Sequence, residues 1–416
     1  MYTVAILGVG ARGADAYGNL INERKDKYKI VALCDLRKER LDRFGKLYGV
    51  SSENLFTDED VFFQNKRADI LLIATQDCDH FRHCIKAFKT GYDVLMEKPV
   101  TWKKSECEQL LKAQKKYGRK ALVCHVLRYA PAFKKAAEIL NSGKIGKLVA
   151  IDATERVGYW HQAHSYVRGN WRNTDKAAPM ILAKCCHDLD LLQYYAGSRC
   201  KSISSVGDLT YFKKENAPTH SAARCIDCAV AKDCPYNAYN IYIKMWKEEG
   251  SPADFWPYSV IAPAPLTEEK LFDAIKTGPY GRCVFACDNN VVDHQLTVIT
   301  FENGVKATLT MTGFTCLGGR RYVFHGTLGE LILDETTDEI TLMPYGKDVE
   351  KFNIKVLSEG GYGHGGGDSG LIDALGDMMS GNAPQTTSLE TSIESHIMGI
   401  CAEESRKKNG KLVFIR

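Results

Sequence analysis

The stretch TVAILGVGARGADAYGNLINERKDKYKIVALCD, residues 3–35, decides the fold class. Val4-Ala5-Ile6-Leu7 is an apolar strand, Gly8-Val9-Gly10-Ala11-Arg12-Gly13 a glycine turn, and Ile30-Val31-Ala32-Leu33-Cys34 a second strand ending at Asp35, with a helix between. Each part has a task if the ligand is a dinucleotide. Gly8 permits the tight strand-to-helix turn, Gly10 lets the backbone approach a pyrophosphate, and Gly13 lets helix and strand pack closely. The amino end of the helix, from Ala11 and Arg12 onward, offers free N–H groups to phosphate. Asp35 follows Gly13 by about 20 residues, the gap after which a carboxylate accepts from ribose hydroxyls. The glycines alone are a weak signal. Strand before, helix after and acid at the second strand's end make it a strong one.

Working outward, the alternation continues. A charged helix falls near 37–48, a short extended piece near 54–57 and a helix near 58–65. The apolar run 68–75 fits a parallel strand covered on both faces. Then come a helix from about 79 to Gly91, a strand at 93–96, a helix at 103–117 and a strand at 121–126. This β-α-β order implies an α/β fold with an amino-terminal Rossmann domain over 1–127, a doubly wound parallel sheet that binds ligands at its strands' carboxyl ends. The glycine turn, Thr75 and Glu97-Lys98-Pro99 all follow such ends.

Beyond 128 the pattern changes to a second domain, 128–416. It has a helix at 131–141, a strand at 147–157, one long helix at 179–195 and a hairpin of strands 292–301 and 305–312 turning at Asn303-Gly304. Further strands at 321–325, 330–333 and 339–343 give an α+β domain with a large, mostly antiparallel open sheet. A glycine-rich loop, 360–367, precedes closing helices at 368–380 and 389–408, and 216–281 reads as an insertion.

With 416 residues, 44% hydrophobic and 25% charged, the chain has room for two globular domains. A net charge of +4 gives no reason to invoke nucleic acid or an anionic membrane surface. No apolar run approaches a membrane span, and Met1 leads straight into a strand without a signal-peptide pattern, so cytoplasm is the expected location. Fifteen cysteines in such a chain read as buried thiols or metal ligands before disulfides.

Lys98 stands at the carboxyl end of a parallel strand ahead of a rigid proline, facing the same crevice as the glycine turn. There its ammonium can hold a substrate hydroxyl or take part in proton transfer; position alone also allows a solvated surface lysine. Tyr159-Trp160-His161, His164-Ser165-Tyr166 and Trp171-Arg172-Asn173 offer aromatic faces and donors suited to a sugar, or else a core or subunit contact. Gly363-His364-Gly365-Gly366-Gly367-Asp368 is either a flexible lid carrying His364 into the site or a helix entry capped by Asp368.

The glycine turn, Asp35, Ala74-Thr75-Gln76-Asp77-Cys78-Asp79-His80, Glu97-Lys98-Pro99 and Arg128-Tyr129-Ala130-Pro131 together resemble the glucose–fructose oxidoreductase/inositol dehydrogenase/rhizopine-catabolism (Gfo/Idh/MocA) family. The resemblance is dense through residue 131 and looser beyond. It implies a nicotinamide-binding Rossmann domain followed by an open-sheet domain that carries substrate residues and the oligomer contact. It places Glu97 and Lys98 at the nicotinamide end, with Lys98 on the reacting hydroxyl, and Thr75 and His80 on the nucleotide-domain loop. Arg128 and Tyr129 join Trp160, His161, Trp171, Arg172, Lys184, Asp190 and His364 as substrate candidates.

The family pattern D-x-x-x-H-x-x-D corresponds to Ala183-Lys184-Cys185-Cys186-His187-Asp188-Leu189-Asp190. His187 and Asp190 match. The first Asp is replaced by Ala183, so the usual proton-relay partner is missing. On a continuous helix Lys184 cannot stand in for it, since neighbours in sequence lie on different faces. His187 is the acid/base candidate because a near-neutral imidazole can take the proton that leaves as hydride moves; otherwise it is a packed core histidine.

Cys225-x-x-Cys228-x5-Cys234-Pro235 lies in the insertion. Three thiolates at this spacing suit one soft or borderline cation, with Cys283, Cys287 or His220 as further donors. Structural zinc is the first expectation; an iron–sulfur cluster, free thiols or a disulfide are the others.

The sequence therefore leads to an NAD(H)-dependent oxidoreductase acting on a secondary hydroxyl of a sugar, glycoside or cyclitol, as a homo-oligomer, dimer or tetramer. Asp35 favours NAD; Arg37, counted with the cofactor residues, and Arg40 keep NADP as second choice. The rivals are a redox-neutral glycoside-cleaving enzyme with tightly held NAD and a non-catalytic nucleotide- or sugar-binding protein.

Overall fold

A computed structural model describes residues 1–415. Its first sheet is built from β1 (Tyr2–Leu7), β2 (Tyr28–Cys34), β3 (Leu55–Phe56), β4 (Ile70–Ile73), β5 (Asp93–Met96) and β6 (Ala121–Val123). All pairings are parallel, in the order β3-β2-β1-β4-β5-β6. The apolar β4 is buried at every position because both faces of the sheet are covered. Alternate β1 residues divide between two layers, as the period of a strand requires. Val4 and Ile6 pack with Tyr17 and Leu41, and Ala5 and Leu7 with Phe62 and Phe88.

The second sheet contains β7 (Leu148–Arg156), β8 (Cys200–Asp208), β9 (His294–Phe301), β10 (Lys306–Thr312), β11 (Gly319–Gly326), β12 (Gly329–Asp334), β13 (Glu339–Pro344), β14 (Glu350–Asn353) and β15 (Val413–Phe414). Their order is β14-β13-β12-β11-β7-β10-β9-β8-β15, antiparallel except where β10 runs parallel to β7. One face holds the main core, with Ile151, Ile299, Leu309 and Phe324 against Leu189 and Leu192 of the helix Cys186–Ala196.

A boundary at 127/128 separates the sheets but not the cores. The helix Gly367–Ser380 returns to one face of the first sheet through Leu371 and Leu375. The helix Leu389–Lys407 covers the other through Leu389 and Ile393, then enters the second core through Met398 and Ala402. One long helix joins both halves.

The helix expected over 179–195 is broken. Met180–Ala183 and Cys186–Ala196 are separated by Lys184 and Cys185, and Cys185 has left helical geometry (φ −90°, ψ 10°). The Ala183 carbonyl instead accepts from Lys98 Nζ at 3.4 Å, and Lys184 reaches Glu155 at 3.3 Å.

Between β8 and β9 the chain folds into short helical pieces around a core of its own, with Phe212, Tyr242, Trp246, Tyr258 and Leu271. That core includes Ala163 and Val167, so the insertion is seated against the segment Gln162–Arg168.

Candidate active site

The crevice lies at the carboxyl ends of β1, β4 and β5. Gly8 has φ +93°, and a Cβ there would meet the Ala74 carbonyl oxygen at 2.5 Å; a Cβ on Gly13 would lie 2.0 Å from the Gly8 oxygen. Only glycine fits either position. At Gly10 a Cβ would meet only the tip of Arg40, at 3.3 Å, so the backbone face is open to a ligand. Asp35 is poised at the end of β2: one oxygen accepts from the Val9 N–H at 2.7 Å and the other from the Arg37 N–H at 2.9 Å. Arg40 Nη1 lies 3.7 Å from Asp35, while the Arg37 side chain is in solvent. These residues fit the diphosphate and ribose of a dinucleotide.

Arg12, a cofactor candidate from its place in the turn, directs its side chain elsewhere. Its guanidinium donates to Glu97 at 2.8 Å and to both oxygens of Asp368 at 2.9 Å, joining the glycine turn to the helix Gly367–Ser380. Ala11, exposed beside it, leaves the helix start accessible. Glu97 also accepts from Tyr17 and from the Lys98 N–H. Burial pushes the Glu97 carboxyl up, but Arg12 and Lys98 pull it further down, so it stays below its ordinary pKa and ionised.

His80 is not a free ligand. One ring nitrogen is 2.7 Å from the Pro99 carbonyl and the other 3.2 Å from that of Thr75, so the ring ties two crevice loops together. Thr75 Oγ1 is bonded to His83, which continues to Glu59.

On the far wall stands His187, 4% exposed, with neither ring nitrogen hydrogen-bonded among the described residues. Burial first, then Lys98, His364, Arg320 and His125, hold its pKa well below 6.5, so the imidazole is neutral. The His364 ring centroid is 5.8 Å away; its φ of +46° and the adjacent glycines let the loop present it there, bonded to Asp368. Asp368 pairs with Arg12 and His364 and caps no backbone N–H.

Four substrate candidates already have protein partners. Arg128 and Asp190 form a buried two-bond pair at 2.6 and 2.7 Å, and Arg128 also donates to the Thr386 carbonyl. Tyr129 bonds Thr386 and Thr387. Arg172 is held by Asp288 at 2.8 and 3.1 Å. Trp171 donates its indole N–H to Asp77 at 3.0 Å, linking the second domain to the β4 loop.

Trp160 and His161 do face one another, ring centroids 5.5 Å apart, and Trp256 from the insertion lies 5.0 Å from His161 and 5.5 Å from Trp160. Burial, then Lys184, His164 and Lys98, depress the His161 pKa. Lys184 belongs to a network unseen in the sequence. Glu155 joins Lys184 to Arg320 (2.7 Å), and Arg320 donates to Asp188 (2.9 Å). Burial raises the Glu155 pKa against the pull of Arg320 and Lys184.

Asp77, His125 and Trp256 were not singled out as site residues. Asp77 follows β4 by four residues, a legible position for a crevice group; Trp256 lies in a stretch without periodicity. His125, its ring 5.9 Å from that of His187 and also without hydrogen-bond partners among the described residues, carried no sequence signal.

Family comparison agrees with this geometry. Residues 2–125 match the model described as oxidoreductase family, NAD-binding Rossmann fold, and residues 137–413 that of the oxidoreductase family's C-terminal alpha/beta domain. The chain belongs to the Gfo/Idh/MocA oxidoreductases. The Bacillus subtilis (strain 168) oxidoreductase YteT is 23% identical over 392 residues, covering 90% of this chain and 88% of that protein. The scyllo-inositol 2-dehydrogenase (NAD(+)) of the same strain is 26% identical over 213 residues, 49% of this chain and 56% of the dehydrogenase. This chain thus spans little more than half of that relative. Among solved structures, an Agrobacterium radiobacter oxidoreductase in complex with NAD+, L-tartaric acid and magnesium superposes with TM-score 0.70 at 15% identity, covering 100% of this chain and 98% of the other. The aldose-aldose oxidoreductase of Caulobacter crescentus has TM-score 0.67 at 15% identity, covering 99% of both chains. The protein is an oxidoreductase with an NAD-binding Rossmann domain. No helix among the described residues is long and apolar enough to cross a membrane.

Proposed function

We propose that this oxidoreductase uses NAD to interconvert a secondary hydroxyl and a ketone on a sugar, glycoside or cyclitol, acting in the cytoplasm as a homo-oligomer. Bound NAD supplies the hydride acceptor in the oxidation and the donor in the reverse direction. Lys98 holds the reacting oxygen through its ammonium, and an imidazole nitrogen of His187 receives the hydroxyl proton. Glu97 fixes the loop that carries Lys98. Trp160, His161 and Trp256 offer ring faces to the C–H faces of the substrate. The observation that carries this reading is His187: a buried imidazole with both nitrogens unsatisfied beside Lys98, across from the dinucleotide turn. A buried polar group without a partner costs about 1–3 kcal/mol, and a ligand hydroxyl removes that cost. Asp35 supports NAD over NADP, since its carboxylate repels a 2′-phosphate.

The test is absorbance of reduced nicotinamide when the purified protein meets NAD and a panel of free sugars, cyclitols and aryl glycosides, with substrate followed in parallel. NADH accumulating on one substrate supports the dehydrogenase and names its class. Aglycone release without lasting NADH would replace it with redox-neutral cleavage; binding without turnover would leave a binding protein.

A further inference from the structure

Two groups of chemistry-bearing side chains are left unused by the reaction above. In the insertion, Cys225, Cys228, Cys234 and Cys283 line a void of about 20 Å³, about the room of one water, and Cys287 and the exposed His220 lie outside it. Among the described residues no three histidine, cysteine or acidic side chains are placed to hold a metal ion, so the expected zinc finds no support there. The second group surrounds Lys184.

From Ala177 to Leu192 every residue is buried except Lys184, whose side chain is 18% exposed. The peptide that joins Ala183 to Lys184 is the one whose carbonyl oxygen lies 3.4 Å from Lys98 Nζ. Lys184 therefore leaves the chain directly beside the reacting lysine, and in a stretch otherwise buried its open side is the crevice. Its partner Glu155 precedes the aromatic wall, Trp160 and His161, by five and six residues. Of the charged groups acting on His161, Lys184 is the strongest.

Around the crevice the charges are sorted by depth. The carboxylates Asp77, Glu97, Glu155, Asp188, Asp190 and Asp368 are between 0% and 8% exposed, and each is bonded or ion-paired behind the surface. Glu335, more open at 25%, is tied to the Arg320 N–H at 2.7 Å. The tips left toward the opening are the ammonium groups of Lys98 and Lys184 beside the imidazoles of His161 and His187. Such a lining favours a ligand that brings a negative charge.

Glu155 does not use up Lys184. Its other oxygen is 2.7 Å from Arg320, so one carboxylate is shared between two cations, and burial raises its pKa and weakens its charge. An ammonium has three N–H donors, and Lys184 Nζ has no partner besides Glu155 among the described residues. One ammonium suits a monoanion. A phosphate calls for a guanidinium fork or a row of backbone N–H groups, and the fork of Arg320 is spent on Glu155 and Asp188.

We propose that Lys184 binds a carboxylate of the substrate, which makes the substrate a sugar acid of the uronic type. This rests on the reading above, in which a secondary hydroxyl is oxidised between Lys98 and His187. Because Lys184 stems from the peptide beside Lys98, the carboxylate and the reacting hydroxyl belong to one ring and not to separate sugar units.

The experiment offers the NAD-loaded full chain glucuronate and galacturonate beside glucose and galactose, as free sugars and as methyl glycosides. NADH formation gives kcat/KM, and tryptophan fluorescence gives binding. The acid of each pair should be favoured by roughly 10- to 100-fold, the worth of a hydrogen bond to a charged group. Lys184→Met should remove that ratio and Lys184→Arg should keep most of it, whereas a merely structural lysine would lower both members alike. Equal kcat/KM for acid and neutral sugar, or a preference that survives in Lys184→Met, would overturn the proposal and leave the dehydrogenase reading standing. Acid-selective binding with no NADH from any sugar would keep the carboxylate site and remove the dehydrogenase reading instead. If Lys184→Met does not fold, the ratio in the unaltered protein and its fall with added salt decide.

Discussion

His187 combines a neutral ring with two unanswered nitrogens, and both properties come from burial at one spot. A base must be neutral to act, and this imidazole is protonated only well below its ordinary pKa. The acid limb of kcat/KM should therefore lie below pH 6.5, with activity flat from there through neutrality. His187→Asn should lower kcat/KM by roughly 100- to 10,000-fold, the usual worth of a general acid or base, and remove that limb. A limb at or above pH 6.5 that survives the substitution would assign the proton to another group. Asp190, three residues further along the same helix and buried on Arg128, behaves oppositely. Asp190→Ala strands a buried guanidinium and should cost about 3–5 kcal/mol in denaturant unfolding. An unchanged midpoint with a raised KM would return Asp190 to the substrate. Asp35→Ala should weaken NAD by roughly tenfold or more, the worth of a charge-assisted hydrogen bond, while leaving NADP less affected; equal losses in a titration of both cofactors would refute that role.

At the scale of elements, the break at Lys184 and Cys185 shows where local pattern stops being informative. Pro179 to Tyr195 has nothing in its sequence to interrupt a helix. The interruption comes from Lys98 and Glu155, which lie far away in the chain and claim the Ala183 carbonyl and the Lys184 ammonium. The first sheet was legible because its apolar runs, glycine turn and helix ends are local signals. β8 was missed: its Ser204, Ser205 and Gly207 dilute the apolar alternation, and its place is fixed by pairing with β9, a long-range contact. The same division holds in the site. Gly8, Asp35, Lys98 and His187 were visible because strand ends and motif spacing point to them. The satisfaction of Arg128 by Asp190 and of Arg172 by Asp288 was not, since ion pairing depends on folds meeting. The insertion supplies Trp256 to the aromatic wall, half-exposed beside His161. Trp256→Ala should raise KM several-fold with little change in kcat, a loss of contact made equally in ground and transition states. A fall in kcat with KM unchanged would instead place Trp256 at the chemical step.

Across the whole molecule, one face of the second sheet buries the core and the other is left bare. Val206 and Leu296 stand opposite each other on β8 and β9, each 48% exposed, and Val298 is 55% exposed one pair along, opposite Ser204. Phe414 on the adjoining β15, 58% exposed, extends the same edge. Single exposed apolar side chains mean little, but a contiguous row on a flat sheet is a surface that association covers. A second copy is the occupant that symmetry favours, because a two-fold axis brings each such row against its equal. Burying a valine or leucine side chain contributes about 1.5–3 kcal/mol, and a two-fold contact counts every residue twice. Leu296→Glu with Val298→Glu would place four carboxylates in that contact. The protein should elute and scatter light as a dimer or tetramer, and the double variant as a folded monomer with its cofactor-binding face intact. An unaltered chain that is monomeric at micromolar concentration, or a double variant of unchanged mass, would move the oligomer contact to another face.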